Sequence, residues 1–174
     1  MTKFANDLPA ASIFFNGDFY CVVSMSNSGL HFADPDEPVQ YYEVGVSSEI
    51  LGEGVRQALL ASKKIPPNEL KGVLPIVKKK VEERIASEMK TYGYKDKKAL
   101  YRKMIACSVG LSDQTLIFYP NHHSSLDGYK GISNDGPEVL RLPLSSSSAE
   151  IGFKAKEGLR RCTTASEFEL PVVL

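Results

Sequence analysis

Short apolar runs on either side of turn residues predict two β-hairpins. In the first, residues 11–25 read ASIFFNGDFYCVVSM, with aromatic and β-branched runs flanking Asn16-Gly17. Asparagine and glycine adopt the positive φ angles that a two-residue hairpin turn requires. In the second, IACSVGL and QTLIFYP flank Ser112-Asp113. Two further runs, residues 39–46 and 139–144, each predict a single strand.

Apolar residues three or four positions apart predict three longer helices. The first covers residues 49–62, with Ser47 or Ser48 as its N-cap. The second is expected to open near Pro75 and to stop at Gly93, after a turn-rich connector at residues 63–72. The third starts at Ser147, which forms the S-x-x-E pattern of a capping box with Glu150. The polar residues 121–138 are expected to form a long loop.

One segment of the chain occurs twice in similar form. Residues 47–59 read SSEILGEGVRQAL, and residues 147–159 read SSAEIGFKAKEGL. Each copy follows a predicted strand and places a glycine, Gly52 or Gly152, in the first turn of a helix, where glycine costs roughly 0.8–1 kcal/mol relative to alanine. That cost indicates close packing, and we expect both glycines to pack their backbones on the sheet.

These elements predict an α+β fold in a single domain that spans residues 1–174. We expect a mixed, mostly antiparallel sheet covered by helices, with two strand–helix units in a pseudo-repeat.

Composition favours a cytoplasmic protein that makes no membrane contact. No apolar run approaches the roughly 18 residues that cross a bilayer. Asp7 and Pro9 interrupt the N-terminus where a secretion signal has its apolar core. Cys21, Cys107 and Cys162 are far apart in the sequence, which favours reduced thiols buried as small apolar residues.

Charge is distributed unevenly, although the formal net charge is zero. Residues 1–62 carry eight acids and two bases, a net charge of −6, whereas residues 63–104 carry thirteen bases and five acids, a net charge of +8. In the acidic part, carboxylates surround an adjacent pair of tyrosines. Clustered carboxylates steer a basic partner, and tyrosine is a frequent anchor of interfaces. The predicted partner-binding residues are Asp34, Asp36, Glu37, Tyr41, Tyr42, Glu43 and Glu53.

Candidate chemistry elsewhere in the chain is weak. His122 and His123 stand beside Ser124, Ser125 and Asp127, but a catalytic triad needs partners placed by separate elements of the scaffold. No G-x-S-x-G elbow, phosphate-binding loop or zinc-ligand spacing occurs. A lysine-rich stretch, residues 78–103, has the charge to contact phosphates, but glutamates interrupt it at helical spacing. We therefore predict no catalytic residue, no metal and no cofactor.

Several short motifs resemble the immunity proteins of bacterial contact-dependent growth inhibition systems, the CdiI family. They are LGEGVRQALLAS, the strand LIFYP with the polar stretch NHHSSLDGYKGI, and SSSSAEIGFKAKEGLRRC near the C-terminus. The resemblance implies a protein that is not an enzyme and that contacts no nucleic acid directly. It would instead bind and block the C-terminal toxin domain of such a system, which the resemblance implies is a nuclease, with ribonucleases among the candidates.

Two alternatives to this function stay open at the level of sequence. One is a small hydrolase or nuclease that uses His122 and His123, and the other is an RNA-binding accessory protein that uses residues 78–103. The sequence sets no oligomeric state.

Overall fold

Strands and helices occupy most of the residues that the computed structural model describes, which are 8–132, 136 and 138–174. The strands are β1 (Ala10–Phe15), β2 (Phe19–Asn27), β3 (His31–Ala33), β4 (Gln40–Glu43), β5 (Ile105–Ser112), β6 (Thr115–Ser125), β7 (Gly128–Gly131), β8 (Leu140–Pro143) and β9 (Thr163–Thr164). The helices are α1 (Ser48–Ala61), α2 (Pro67–Tyr92), α3 (Lys97–Tyr101) and α4 (Ser148–Arg160).

The strands form one sheet in the order β3-β2-β1-β5-β6-β7, with β4 also paired to β2 and β8 and β9 also paired to β6. Every pairing between these strands is antiparallel except the short pairing of β9 with β6. The prediction of an α+β fold with a mixed, mostly antiparallel sheet is therefore confirmed.

Both predicted hairpins are present, and their turns use different chemistry. In the first, Gly17 has a φ of +94°, and the Asn16 side chain accepts hydrogen bonds from the backbone of Asp18 and Phe19 at 3.0 and 3.3 Å. In the second, the turn lies one residue later than predicted. Asp113 and Gln114 both have positive φ, +48° and +62°, although neither is a glycine.

The two halves of the sheet repeat each other, in addition to the two strand–helix junctions found in the sequence. Ser12 of β1 pairs with Val23 of β2, and the equivalent pair 96 residues later is Ser108 with Tyr119. Ser12 and Ser108 also pair with each other at the centre of the sheet. The two halves are thus related by an approximate two-fold axis that passes through this central pair.

The packing of Gly52 and Gly152 corrects one prediction. These glycines do not pack on the sheet, because α1 and α4 touch each other at this point. A Cβ added at Gly52 would lie 1.7 Å from the carbonyl oxygen of Ser148, and one added at Gly152 would lie 1.7 Å from that of Ser48. Glycine is required at both positions because each helix backbone occupies the space that the other's side chain would need.

Helices cover the two faces of the sheet unequally. Helices α1 and α4 cover one face, where they enclose the larger apolar core around Phe15, Tyr20, Leu51, Phe118 and Ile151. Helices α2 and α3 lie on the opposite face over a smaller cluster that includes Phe19, Ile85 and Leu100. Of the 26 residues of α2, only Val77, Ile85 and Glu88 are buried, so most of this helix faces solvent.

Helix α2 is longer than predicted. The segment expected to be a connector is helical from Pro67, and Pro75 lies inside the helix. Proline at the first helical position needs no N–H partner, which explains the start. Pro75 is tolerated because the carbonyl that it leaves without a helical partner belongs to Lys71, an exposed residue, so this carbonyl is accessible to solvent.

The predicted polar loop is largely a β-hairpin. Strand β6 continues through His122 and His123 to Ser125, and β7 pairs back on it. The part of the expected loop formed by residues 133–135 and 137 lies outside the described residues. Strand β4 is shorter than expected, since a turn follows Glu43, and β3 and β9 had no counterpart among the predicted strands.

Candidate partner-binding surfaces

Strand β4 divides the predicted acidic and aromatic segment between two sides of the molecule. Successive side chains of a strand point to opposite faces. Tyr41 points toward α2, where its hydroxyl donates a hydrogen bond to Glu88 Oε1 at 2.9 Å. Tyr42 points toward α1, where its hydroxyl donates to Gln40 Oε1 and reaches the backbone at Gly54. The predicted residues therefore do not form one continuous patch.

On the α2 side lies a groove of about 450 Å³, here called the β3–β4 groove. It is lined by Asp34, Asp36, Glu37, Tyr41, Val77, Lys80 and Arg84, with neighbouring residues. Two of its carboxylates, Asp34 and Glu37, already have cationic or hydrogen-bonding partners within the chain. Glu37 lies 3.3 Å from Lys63 Nζ, and Lys80 and Arg84 stand on the opposite wall. The groove is therefore mixed in charge.

Asp34 is a structural residue of this region, although we predicted it as a contact residue. Its side chain is 2% exposed, and it accepts hydrogen bonds from Ser26 Oγ at 2.5 Å and from the backbone N–H of Asp36 at 2.9 Å. Lys63 Nζ lies 3.8 Å away. Because a buried carboxylate is stable only when it is paired, Asp34 fixes the β3–β4 connection and is not available for contact.

A buried polar cluster holds Tyr41 in place beneath α2. Glu88 is 4% exposed and lies 3.5 Å from Arg84 Nε. Burial raises the pKa of the Glu88 carboxyl, and the neighbouring Arg84 and Tyr41 oppose that rise. Burial likewise raises the pKa of the Cys21 thiol, which hydrogen-bonds Glu88. This cluster was not predicted, and its one signal in the sequence is Glu88 on the buried side of α2, three residues after Ile85.

On the α1 side, two of the predicted residues line a second groove, of about 440 Å³. Tyr42 and Glu53 face it together with Glu49, Ile50, Gly54, Gln57 and Ser148. Glu53 accepts hydrogen bonds from Ser148 Oγ at 2.9 Å and from Gln57 Nε2 at 3.3 Å. Glu43 is exposed at the end of β4. Within the described ranges, no lysine or arginine forms an ion pair with Glu43, Glu49 or Glu53.

The two histidines proposed for catalysis have structural environments. His123 is 1% exposed, and its ring stacks on Tyr129 and Phe168 with centroid distances of 4.8 and 3.8 Å. Its Nε2 donates to the Leu126 carbonyl at 3.1 Å. His122 is turned to the other side of β6, where Nδ1 lies 2.8 Å from Thr163 Oγ1. Neither ring has a nucleophile and an orienting carboxylate as hydrogen-bond partners.

The three cysteines are buried and unpaired, as predicted. Burial raises the pKa of the Cys162 thiol to about 11 and also raises the pKa values of the Cys21 and Cys107 thiols, so all three are protonated at neutral pH. In the part of the chain that the structure describes, no three His, Cys, Asp or Glu side chains come together as metal ligands. None of its helices is long and apolar enough to span a bilayer.

The lysine-rich stretch lies on the exposed side of α2 and in the segment after it. Lys78, Lys79 and Lys80 are exposed, and Lys79 lies 3.9 Å from Glu83. Further along, Glu169 neutralises Arg102, with which it forms a 2.5 Å ion pair. Part of the positive charge is therefore balanced within the chain.

Comparison with known proteins places the chain in a class. Residues 9–162 match the CdiI family, described as CDI immunity protein. Immunity protein CdiI-YPIII of Yersinia pseudotuberculosis serotype O:3 (strain YPIII) is 28% identical over 166 residues, which cover 87% of this chain and 94% of the relative.

Two solved structures share the fold. A chain of the CdiA-CT/CdiI toxin and immunity complex from Yersinia pseudotuberculosis superposes with a TM-score of 0.80 and 26% identity, covering 88% of this chain and 97% of that chain. A protein of unknown function from Neisseria meningitidis superposes with a TM-score of 0.80 and 25% identity, covering 93% and 99% of the two chains.

These matches define an immunity protein, not an enzyme, so the hydrolase alternative at His122 and His123 is wrong. More particularly, the chain belongs to the CdiI family of contact-dependent growth inhibition immunity proteins, and the resemblance found in the sequence is confirmed.

Proposed function

We propose that this protein acts in the cytoplasm as the inhibitor of one cognate toxin domain, which it binds and blocks in a 1:1 complex. The observation that carries the proposal is the family match over residues 9–162. The structural likeness to a chain of a toxin and immunity complex supports it over nearly the whole fold. No step of the proposed activity requires a cofactor or a reacting side chain.

We further propose that the toxin is a nuclease. A nuclease presents a positive surface to the phosphates of its substrate, and an acidic protein surface competes for it by charge complementarity. The first 62 residues carry the net charge of −6 that such competition needs. Steering of this kind gives a high association rate, which falls as salt screens the charges.

The solvent-accessible members of the predicted set supply this field from both sides of β4. Asp36, Tyr41, Glu43 and Glu53 are exposed, Glu37 and Tyr42 are half-buried, and Asp34 supports the loop from within. The basic exposed side of α2 would repel a cationic toxin. The proposal therefore has the toxin approach from a direction that leaves α2 at the periphery.

The test is binding to the toxin domain encoded directly upstream of this gene. Both proteins are purified separately, and the complex is followed by isothermal titration calorimetry at low and high salt. We expect a 1:1 complex with a dissociation constant in the nanomolar range or below. Failure to form a complex at micromolar concentrations would contradict the proposal. Binding of RNA by the isolated protein, with a steep salt dependence, would favour the accessory-protein alternative instead.

A further inference from the structure

The outward surface of the α1–α4 helix pair combines exposed apolar side chains with carboxylates. We call it the outer face, and it consists of Glu49, Ile50, Glu53, Ser148 and Phe153. Ile50 is 56% exposed and Phe153 is 59% exposed. One exposed apolar side chain on a monomer is ordinary. Here two of them lie near the N-terminal ends of helices that touch each other, and each can anchor a partner that docks on the helix pair.

The pseudo-repeat explains why these side chains share one side of the molecule. Glu53 and Phe153 are equivalent positions, each one residue past a glycine at the helix contact. The approximate two-fold axis passes through the sheet and through the helix pair. Residues at equivalent positions of α1 and α4 therefore lie on the same side of the molecule. Ser148 Oγ donates to Glu53 Oε2 at 2.9 Å, which joins the first turn of α4 to α1 at the surface.

Charge distinguishes the outer face from the β3–β4 groove. In the groove, Lys63 pairs with Glu37 at 3.3 Å, and two bases stand on the opposite wall. On the outer face, the hydrogen bonds to Glu53 come from the neutral donors Ser148 and Gln57. Among described residues, no base forms an ion pair with Glu49 or Glu53. A cationic partner therefore gains more electrostatic energy from Glu49 and Glu53 than from Glu37, which Lys63 already neutralises in part.

The groove at the edge of the outer face combines apolar and acidic groups that suit a lysine or arginine side chain. Tyr42, Ile50 and the two carboxylates Glu49 and Glu53 all line the 440 Å³ groove. The hydroxyl of Tyr42 is fixed by Gln40, whose own amide donates to the Gly54 carbonyl at 3.1 Å. Lysine and arginine bury their aliphatic stems on apolar and aromatic groups while the charged end stays with carboxylates.

The helix pair that carries this surface is held rigidly. Arg56 of α1 donates to the Leu144 and Ser146 carbonyls before α4, at 3.0 and 2.6 Å. Its equivalent in α4, Lys156, donates to the Val46 carbonyl before α1 at 2.8 Å. Each helix is thus fastened to the loop that precedes the other. A surface that is ordered before binding loses little conformational entropy when a partner docks.

We infer that the toxin contacts this protein at the outer face, through a basic surface that places a lysine or arginine between Tyr42 and Ile50 and covers Phe153. The inference rests on the proposed function and adds which surface makes the contact and which partner chemistry it fits. The β3–β4 groove then contributes to long-range attraction without being covered.

The experiment measures association and dissociation rates of the upstream-encoded toxin domain by biolayer interferometry. The outer-face variants are Phe153→Ala and the double variant Glu49→Gln/Glu53→Gln. The groove control is Asp36→Asn/Glu37→Gln, which removes the same number of charges. The apolar control is Val172→Ala, because Val172 is 78% exposed and lies on the C-terminal segment. Thermal unfolding verifies that each variant is folded, as expected for substitutions at exposed or half-buried positions.

Phe153→Ala should raise the dissociation rate about thirtyfold, as truncation of an interface anchor does. The Glu49→Gln/Glu53→Gln variant should weaken binding at least about tenfold, more at low salt than at high salt. The groove control should slow association a few-fold and leave dissociation unchanged, and Val172→Ala should change neither rate. Unchanged dissociation in both outer-face variants would overturn the inference while leaving toxin binding established. An absence of binding by the unmodified protein would contradict the proposed function, and this inference with it.

Discussion

The contact between Gly52 and Gly152 gives the most specific prediction about stability. Alanine at either position would place a methyl group 1.7 Å from a backbone carbonyl oxygen of the other helix. Ordinary contact between carbon and oxygen needs well over 3 Å, so α1 and α4 must move apart. Separation would also loosen the apolar contacts of Leu51 and Ile151 beneath the crossing, which are both fully buried.

The expected magnitude follows from two opposing effects. Alanine in place of glycine inside a helix stabilises it by roughly 0.8–1 kcal/mol. Forcing extra volume into a packed contact typically costs about 1–3 kcal/mol, and the upper end applies here because the obstacle is backbone and not a flexible side chain. We therefore expect Gly52→Ala and Gly152→Ala each to lower the free energy of unfolding by about 2 kcal/mol net. In a chain of this length that corresponds to a fall in Tm of roughly 4–8 °C.

Gly72 provides a matched control within the same protein. It lies inside α2, and no atom comes within 4 Å of the position that its Cβ would take. Gly72→Ala should therefore stabilise the protein by roughly 0.8–1 kcal/mol through helix propensity alone. Urea denaturation followed by circular dichroism measures all three variants. If Gly52→Ala were as stable as the unmodified protein while Gly72→Ala showed the expected gain, the close crossing of the helices would be refuted.

Three further predictions each concern a single residue. Arg56→Met should lower the free energy of unfolding by about 2 kcal/mol, because two charged hydrogen bonds to the loop before α4 are lost. Urea denaturation measures the loss, and an unchanged free energy of unfolding would contradict the prediction. Gln114→Gly should stabilise the second hairpin by about 1 kcal/mol, because its positive φ is free of strain only for glycine; an unchanged Tm would argue against that turn. Because burial raises the pKa of Glu88, the folded state holds this proton to higher pH than the unfolded chain, and stability falls as pH rises from about 4.5 through the raised pKa. Glu88→Gln should flatten that dependence, measured by denaturation across the range, and an equal slope in both proteins would contradict it.

Features with a local physical cause could be predicted from the sequence. The Asn16-Gly17 turn and the Ser147–Glu150 capping box depend on side chains and backbone within three residues, and both are present. The same holds for the N-cap at Ser47, which accepts a hydrogen bond from the Ile50 backbone at 3.2 Å. The repeated segment also led to two equivalent helices, because its periodic apolar positions are a property of the helix itself.

Features decided by distant partners could not be predicted. The glycines were recognised as packing residues, but only the three-dimensional arrangement shows that each faces the other helix and not the sheet. Polar residues after Pro120 suggested a loop, yet pairing with β7 and β9 makes them a strand. Asp34 looked like a surface acid because its partners, Ser26 and Lys63, are eight or more residues away. Tyr41 and Tyr42 were predicted to act together at one interface, but neighbouring residues of a strand point to opposite faces of the sheet.

The central claim is that this protein acts by covering the working surface of a toxin, and one titration tests it directly. A fixed concentration of the upstream-encoded toxin domain is assayed on RNA and on DNA while increasing amounts of this protein are added. With the toxin concentration well above the dissociation constant, we predict that the toxin's activity, proposed above to be that of a nuclease, falls in a straight line and reaches zero at one equivalent. Full toxin activity in the presence of a several-fold excess of this protein would contradict it.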